Sequence, residues 1–244
     1  MIKAYAKSDI GKVRESNQDY YYLSDSLDQV QLYMLADGMG GYNGGEIASE
    51  LAVQTAKSYI ENNFKQIDKD KDSIIQLVGS SMEYANMVVY EKSKESKELE
   101  GMGTTLEICL IYNNKAFIGH VGDSRIYRIR KEFMRKLTQD HSYVQKLVKD
   151  GTITQEEATH HPQKNMLMKA LGCNAFVEPD VMVKGFLKDD IIVMGSDGLT
   201  NLVPQEEIYR LAKKDIERAP KELVEIANQN GGYDNITVVI IKNI

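Results

Sequence analysis

The amino-acid sequence predicts an α+β protein in which largely antiparallel sheet is covered by helices. Three observations carry that expectation. Strand-type runs arrive in groups joined by short turns, helical patterns come in pairs, and the strict strand-helix alternation of a parallel sheet is absent.

The strand-type runs are Tyr20–Ser24, Val30–Ala36, Thr104–Tyr112, Lys115–Val121, Arg125–Ile129, Val181–Phe186, Asp190–Met194 and Ile236–Ile241. Val, Ile, Tyr and Phe recur in them, and turn residues bound them. Asn113-Asn114 joins two runs as a hairpin turn, because asparagine tolerates positive φ. The first helix is expected over Glu46–Phe64, with Ile47, Leu51, Ala52, Thr55, Ala56, Tyr59 and Ile60 spaced near 3.6 residues. A second follows over Asp72–Ser93, where Ile74, Leu77, Val78, Ser81, Ala85, Val88 and Val89 form the buried stripe. Glu91–Glu100 is almost wholly polar and reads as a solvated helix end. Helices are also expected over Pro204–Lys214 and Pro220–Asn230, each opening on a proline at an early position that permits it.

No Pro/Gly/Ser-rich linker divides the 244 residues, so one domain over residues 1–244 is expected. The net charge of −6 argues against a nucleic-acid binder, which usually carries a basic excess. No apolar run reaches the ~18–20 residues of a membrane span. Met1–Gly11 lacks the charged-then-apolar pattern of an export signal, so a cytoplasmic protein is expected, with Cys109 and Cys173 as reduced thiols.

The acidic residues are the informative ones. Val30–Ala36 runs into Asp37-Gly38, Ala116–Val121 into Gly122-Asp123-Ser124, and Asp190–Gly195 into Ser196-Asp197-Gly198, while Asp234-Asn235 leads into Ile236–Ile241. Aspartates at the rims of core strands are held rigidly yet exposed, and carboxylate oxygens suit hard cations such as Mg²⁺ and Mn²⁺. A glycine after the aspartate permits a sharp turn and brings its own carbonyl towards an ion, so Asp37-Gly38 can offer two oxygens. Asp-Gly is also a common turn, and Asp150-Gly151, after a helical stretch, reads as one. Spacing alone leaves open whether the four acidic strand ends converge.

Here the residues match a known family. The elements, in order, are Asp9-x-Gly11-x-x-Arg14-x-x-Asn17-Gln18-Asp19, Ala36-Asp37-Gly38-Met39-Gly40-Gly41, Gly103-Thr104-Thr105 and Val121-Gly122-Asp123-Ser124-Arg125. Asp140-His141-Ser142, Ala170-Leu171-Gly172, Ser196-Asp197-Gly198-Leu199 and Asp234-Asn235 follow. Over nearly its whole length the chain resembles the metal-dependent PP2C-type (PPM) protein phosphatases, especially the compact bacterial ones.

The resemblance implies a four-layer α-β-β-α sandwich of two antiparallel sheets flanked by helix pairs, with two Mn²⁺ or Mg²⁺ ions at one end. By position, Asp37 bridges the ions, the Gly38 carbonyl binds one, and Asp197 and Asp234 complete the other coordination sphere. Asp19 acts through metal-bound water, and Asp123 with Asp197 matches a third, weaker site. Arg14 matches the arginine that grips the phosphate, a task suited to a guanidinium fork. The implied reaction is hydrolysis of phosphoserine and phosphothreonine in proteins by a metal-bridging hydroxide, with a serine/threonine kinase as counterpart. A monomer is expected, though nothing in the sequence fixes the oligomeric state. The chain departs from the family pattern where relatives usually carry a loop histidine that protonates the leaving oxygen. Tyr42 stands there, so a metal-bound water is expected to serve, or the metals to stabilise a leaving serine alkoxide.

Other residues read as ordinary. His120 fits a packed core position, His141 a structural support, and His160 and His161 the surface of the polar stretch 145–164, which the resemblance places in a flap beside the cleft. The glycines of residues 38–45 lack the spacing of nucleotide-binding loops. Neither cysteine has an arginine at the spacing of a cysteine phosphatase, and Asn235-Ile236-Thr237 fits a glycosylation acceptor only by pattern. Two other readings compete. A pseudophosphatase that binds phosphoproteins is suggested by the missing histidine. A metal-dependent hydrolase of small phosphate esters would use the same centre.

Overall fold

A computed structural model describes residues 1–25, 30–41 and 44–244. The chain runs β1 (Ile2–Asp9), β2 (Asp19–Leu23), β3 (Gln31–Met39), α1 (Gly44–Phe64), α2 (Lys71–Ser93), β4 (Gly103–Thr104), β5 (Leu106–Tyr112), β6 (Lys115–Val121) and β7 (Arg125–Arg130). It continues through β8 (Phe133–Lys136), α3 (Tyr143–Lys149), α4 (Gln155–His160), β9 (Asp180–Gly185), β10 (Ile191–Gly195), α5 (Asp197–Thr200), α6 (Gln205–Lys214), α7 (Ala219–Gln229) and β11 (Ile236–Asn243). One sheet has the order β1-β11-β10-β7-β8, the other β2-β3-β5-β6-β9 with β4 beside β3, and the pairings are antiparallel.

Alternation along the strands builds three apolar layers. Leu32, Met34, Ala36, Ile108 and Phe117 face α1 and α2, meeting Ala52, Ala56, Val78 and Met82. Their neighbours Tyr33, Leu35, Cys109 and Ile118 turn the other way, onto Ile126, Ile192, Met194 and Val239 of the second sheet. On the far face Val193, Val238 and Ile240 meet Leu211, Leu223 and Val224 of α6 and α7. This is the four-layer α-β-β-α sandwich. Because each sheet is covered on both faces, its central strands read as unbroken apolar runs rather than alternating ones.

Several elements escape the sequence pattern. β1 is an edge strand of mostly half-buried residues, fixed by eight-residue pairing from Ile2 opposite Asn243 to Asp9 opposite Ile236. α3 runs into the polar stretch 145–164 and α4 lies within it, and both open on side-chain caps. Ser142 Oγ accepts from the Gln145 N–H, and Thr154 and Glu157 form a reciprocal capping box. Asn113 and Asn114 take φ of 48° and 57°, as the hairpin between β5 and β6 requires. Asp150 caps α3 and Gly151 follows at φ 73°, so that Asp-Gly is indeed a turn. Asp37-Gly38 is not: β3 continues through both, with Asp37 opposite Asp19 and Gly38 opposite Thr104.

Candidate metal centre

The residues of the centre come from loop and strand positions at one end of the two sheets. Asp19 opens β2 directly across from Asp37 on β3. Asp197 opens α5 immediately after β10, Asp234 stands just before β11, and Asp123 follows β6. The structure thus brings together all five aspartates singled out from the sequence. The Asp37 carboxyl lies beside that of Asp197, and Asp37 feels the charges of Asp19, Asp197, Asp123 and Asp234 together. Arg14, on the loop after β1, reaches over this group and donates to Asp234 Oδ2 at 2.7 Å.

The electrostatics record the crowding. Burial pushes the Asp19 carboxyl up to about 7, with Asp197 and Asp234 adding to the rise and the Thr237 and Ser196 hydroxyls opposing it. Burial and then Asp197 and Asp140 bring Asp123 to about 7, against the pull of Arg125. For Asp197 burial and Asp234 win over Arg125, the Asp37 hydrogen bond and Arg14, giving about 6. Asp37 is held well above the carboxylate range, first by burial and then by its four acidic neighbours. Carboxylates that are buried together and hinder one another's ionisation are relieved when a cation joins them.

Two details test whether the donors fit a metal ion. Asp19 is 8% exposed, and its Oδ1 is buried without any hydrogen-bond partner while Oδ2 accepts from Ser196 Oγ at 2.9 Å. An orphaned oxygen on a carboxylate that feels Asp197 and Asp234 suits an ion or its bound water. Among the described residues, no three or more His, Cys, Asp or Glu stand close enough to hold one ion as they lie. The donors gathered here are all carboxylate oxygens, which suit hard cations such as Mg²⁺ or Mn²⁺ better than Zn²⁺.

The supports of these acids are hydroxyls and amides to which the sequence assigned no task. Thr105 Oγ1 accepts from the Asp37 N–H at 2.9 Å and pairs with Ser124 Oγ, while Thr104 Oγ1 donates to the Asp37 carbonyl. Ser196 Oγ accepts from the Thr237 N–H while donating to Asp19, tying the two sheets beneath the acids. Asn235 donates both amide hydrogens, to Ile10 and Ser16 carbonyls, and accepts from the Gln18 N–H, so it fixes the loop that carries Arg14. Buried and fully bonded, it is no glycosylation acceptor. Glycine has a different use here from the expected sharp turn. A Cβ on Gly38 would lie 2.0 Å from the Gly45 carbonyl oxygen, and one on Gly198 2.1 Å from that of Asn235. Backbones meet at these points to set the acids side by side.

Beyond Asp123 a cavity of about 400 Å³ opens between β7, α3–α4 and α6, lined in part by Arg125, Asp140, Gln155, Lys164 and Asn201. Arg125 spends its charge on Asp140, which Arg125 and Lys136 hold low against the effect of burial. His120 is fully buried, with Nε2 donating to the Gln139 carbonyl and Nδ1 sharing a proton with Glu107 at 2.7 Å. His141 stacks on it and accepts from the Gly122 N–H, bracing the turn before Asp123. His160 and His161 end α4. Cys109 and Cys173 are free thiols. Tyr42 lies outside the described residues. No helix among the described residues is long and apolar enough to cross a membrane.

Comparison with known proteins agrees with this geometry. Residues 12–235 match the family model described as protein phosphatase 2C. The chain is 37% identical over 238 residues to the protein phosphatase PhpP of Streptococcus pneumoniae serotype 2, covering 96% of this chain and 95% of that protein. It superposes on the crystal structure of the Mycobacterium tuberculosis serine/threonine phosphatase PstP/Ppp with a TM-score of 0.89 at 34% identity, covering 99% and 98% of the two chains. A structure of the PstP catalytic domain in complex with two manganese ions matches at a TM-score of 0.86 and 32% identity, with coverage of 99% and 97%. The chain belongs to the protein phosphatase 2C family.

Proposed function

We propose that this chain is a metal-dependent protein serine/threonine phosphatase, a phosphoric monoester hydrolase acting as one domain over residues 1–244. The observation that carries the reading is the group of mutually raised aspartates with the orphaned Asp19 Oδ1 at its heart and Arg14 above it. Asp37, the Gly38 carbonyl, Asp197 and Asp234 would hold two Mn²⁺ or Mg²⁺ ions, with Asp19 acting through their waters. Asp123 and Asp197 would hold a third. Bound there, the ions supply an activated water and neutralise charge gathering on the phosphate.

The chain's own residues do the rest. Arg14 is more than half exposed and has a single strong partner in Asp234. Once Asp234 serves a cation, the guanidinium fork is free to take two phosphate oxygens. Thr104, Thr105 and Ser196 keep Asp37 and Asp19 in place without bringing in charge. No described cysteine lies in the cluster, consistent with direct attack by water. The substrates would be phosphorylated proteins and the counterpart a serine/threonine kinase, with the phosphatase a cytoplasmic monomer.

The test is hydrolysis of a phosphothreonine peptide by protein stripped with a chelator, then with Mn²⁺ or Mg²⁺ restored, beside Asp37→Asn. Turnover should return with metal and stay absent in the variant. Peptide binding without turnover under any metal would refute the enzymatic reading.

A further inference from the structure

The loop carrying Arg14 ends in a small apolar ledge that no part of the phosphatase reaction uses. Val13 is 62% exposed, Tyr233 65% and Ile10 38%. Val13 precedes Arg14 and Tyr233 precedes Asp234, so the Arg14–Asp234 ion pair at 2.7 Å holds their two backbone segments side by side. The Lys12 N–H donates to the Gly232 carbonyl at 2.8 Å, locking the segments together one residue further along.

The ledge is rigid. Gly11, at φ 81°, sits so close that a Cβ would come 2.3 Å from the Asp234 carbonyl oxygen. Asp9 Oδ1 accepts from the Gly11 N–H and from Asn228, and Asn235 binds the Ile10 and Ser16 carbonyls. Exposed apolar residues on two segments tied together beside Arg14 and Asp234 offer a contact surface. Reach identifies the occupant. A phosphate gripped by Arg14 brings its own residue to this mouth. With consecutive Cα atoms ~3.8 Å apart, only the immediate neighbours of that residue can lie over Val13 and Tyr233.

We propose that Ile10, Val13 and Tyr233 form a subsite for an apolar side chain next to the phosphorylated residue, so that the enzyme favours phosphopeptides with a bulky aliphatic neighbour. This rests on the reading of the aspartate centre as a phosphatase with Arg14 at the phosphate. The subsite acts on affinity for the peptide and leaves the hydrolytic step alone.

The experiment compares two phosphothreonine peptides that differ only in the flanking residues, leucine in one and asparagine in the other, with free phosphothreonine as a reference lacking neighbours. With Mn²⁺ present, the protein should show a KM about tenfold lower for the leucine peptide at similar kcat. Val13→Ser combined with Tyr233→Ser should bring the two KM values within about twofold, with turnover of free phosphothreonine unchanged. Tyr233→Phe should keep the preference. Equal KM values in the unaltered protein, or a preference that survives the double substitution, would overturn the subsite alone. No turnover of any of the three esters would overturn the phosphatase reading, and the subsite with it.

Discussion

Stripped of metal, the protein should lose stability as the solution moves from about pH 4 to about pH 7, and Asp19→Asn should remove much of that loss. Burial raises the Asp19 carboxyl from an ordinary 3.8 to about 7. A carboxyl raised on folding contributes stability that is fully present below its unfolded value. That stability is lost as pH rises through the folded value, because the folded state must then carry an ionised group in a poor environment. At 1.36 kcal/mol per pH unit the difference comes to about 4 kcal/mol for Asp19. The side chain is buried enough for solvent to screen little of it. Asp37, Asp123 and Asp197 share the same cluster, so their contributions overlap and do not add. For a chain of this size 1 kcal/mol moves Tm by roughly 2–4 °C, so a fall on the order of 10 °C is expected across the window. Thermal unfolding in chelator, followed by circular dichroism at several pH values, measures it. Asp19→Asn should match the unaltered protein near pH 4 and exceed it at pH 8 by up to about 4 kcal/mol. Added Mn²⁺ should restore the unaltered protein more than the variant, since it binds the folded state. A flat profile for the stripped protein, or no gain at pH 8 in the variant, would refute the electrostatic reasoning.

Three further outcomes follow from named contacts. Asp197→Asn should lower phosphopeptide turnover about a hundredfold or more, with weaker Mn²⁺ binding by calorimetry; near-normal activity would remove Asp197 from the ligand set. Arg14→Lys keeps the charge but loses the fork, so kcat/KM on a phosphopeptide should drop roughly ten- to hundredfold; an unchanged value would take Arg14 off the phosphate. Gly198→Ala places a Cβ 2.1 Å from the Asn235 carbonyl oxygen, and the backbone shift should cost about 2–3 kcal/mol, read as a lower melting temperature. An unchanged Tm would mean that α5 and the start of β11 can part without penalty.

Much of the fold could be read along the chain because its central strands are buried on both faces. Val30–Ala36 and Ile236–Ile241 need apolar residues at consecutive positions, and such runs are visible without partners. β1 could not be read that way. Its mixed, half-buried residues are held as a strand by the register of eight pairs that β11 offers. The short helix α4 carries almost no apolar periodicity and begins at a cap on Thr154, while α3 adds to its Ser142 cap only the brief apolar pattern Val144, Leu147 and Val148. The Thr154-x-x-Glu157 capping box was the one local signal that could have announced α4.

The sequence by itself determined which residue types the centre could use, since aspartates at strand rims and a nearby arginine are covalent facts. It also determined, through the order of its motifs, the family to which the chain is similar. That Asp19 faces Asp37 across one sheet while Asp197 and Asp234 approach from the other was decided only by the tertiary structure. So were the tasks of Thr105, Ser196 and Asn235, the orphaned Asp19 oxygen, and the close contacts that forbid a Cβ on Gly38 and Gly198. The physical reason is that burial, mutual charge and hydrogen bonding depend on distances between residues up to some two hundred positions apart in the chain, as between Asp19 and Ser196, and no local pattern encodes those distances.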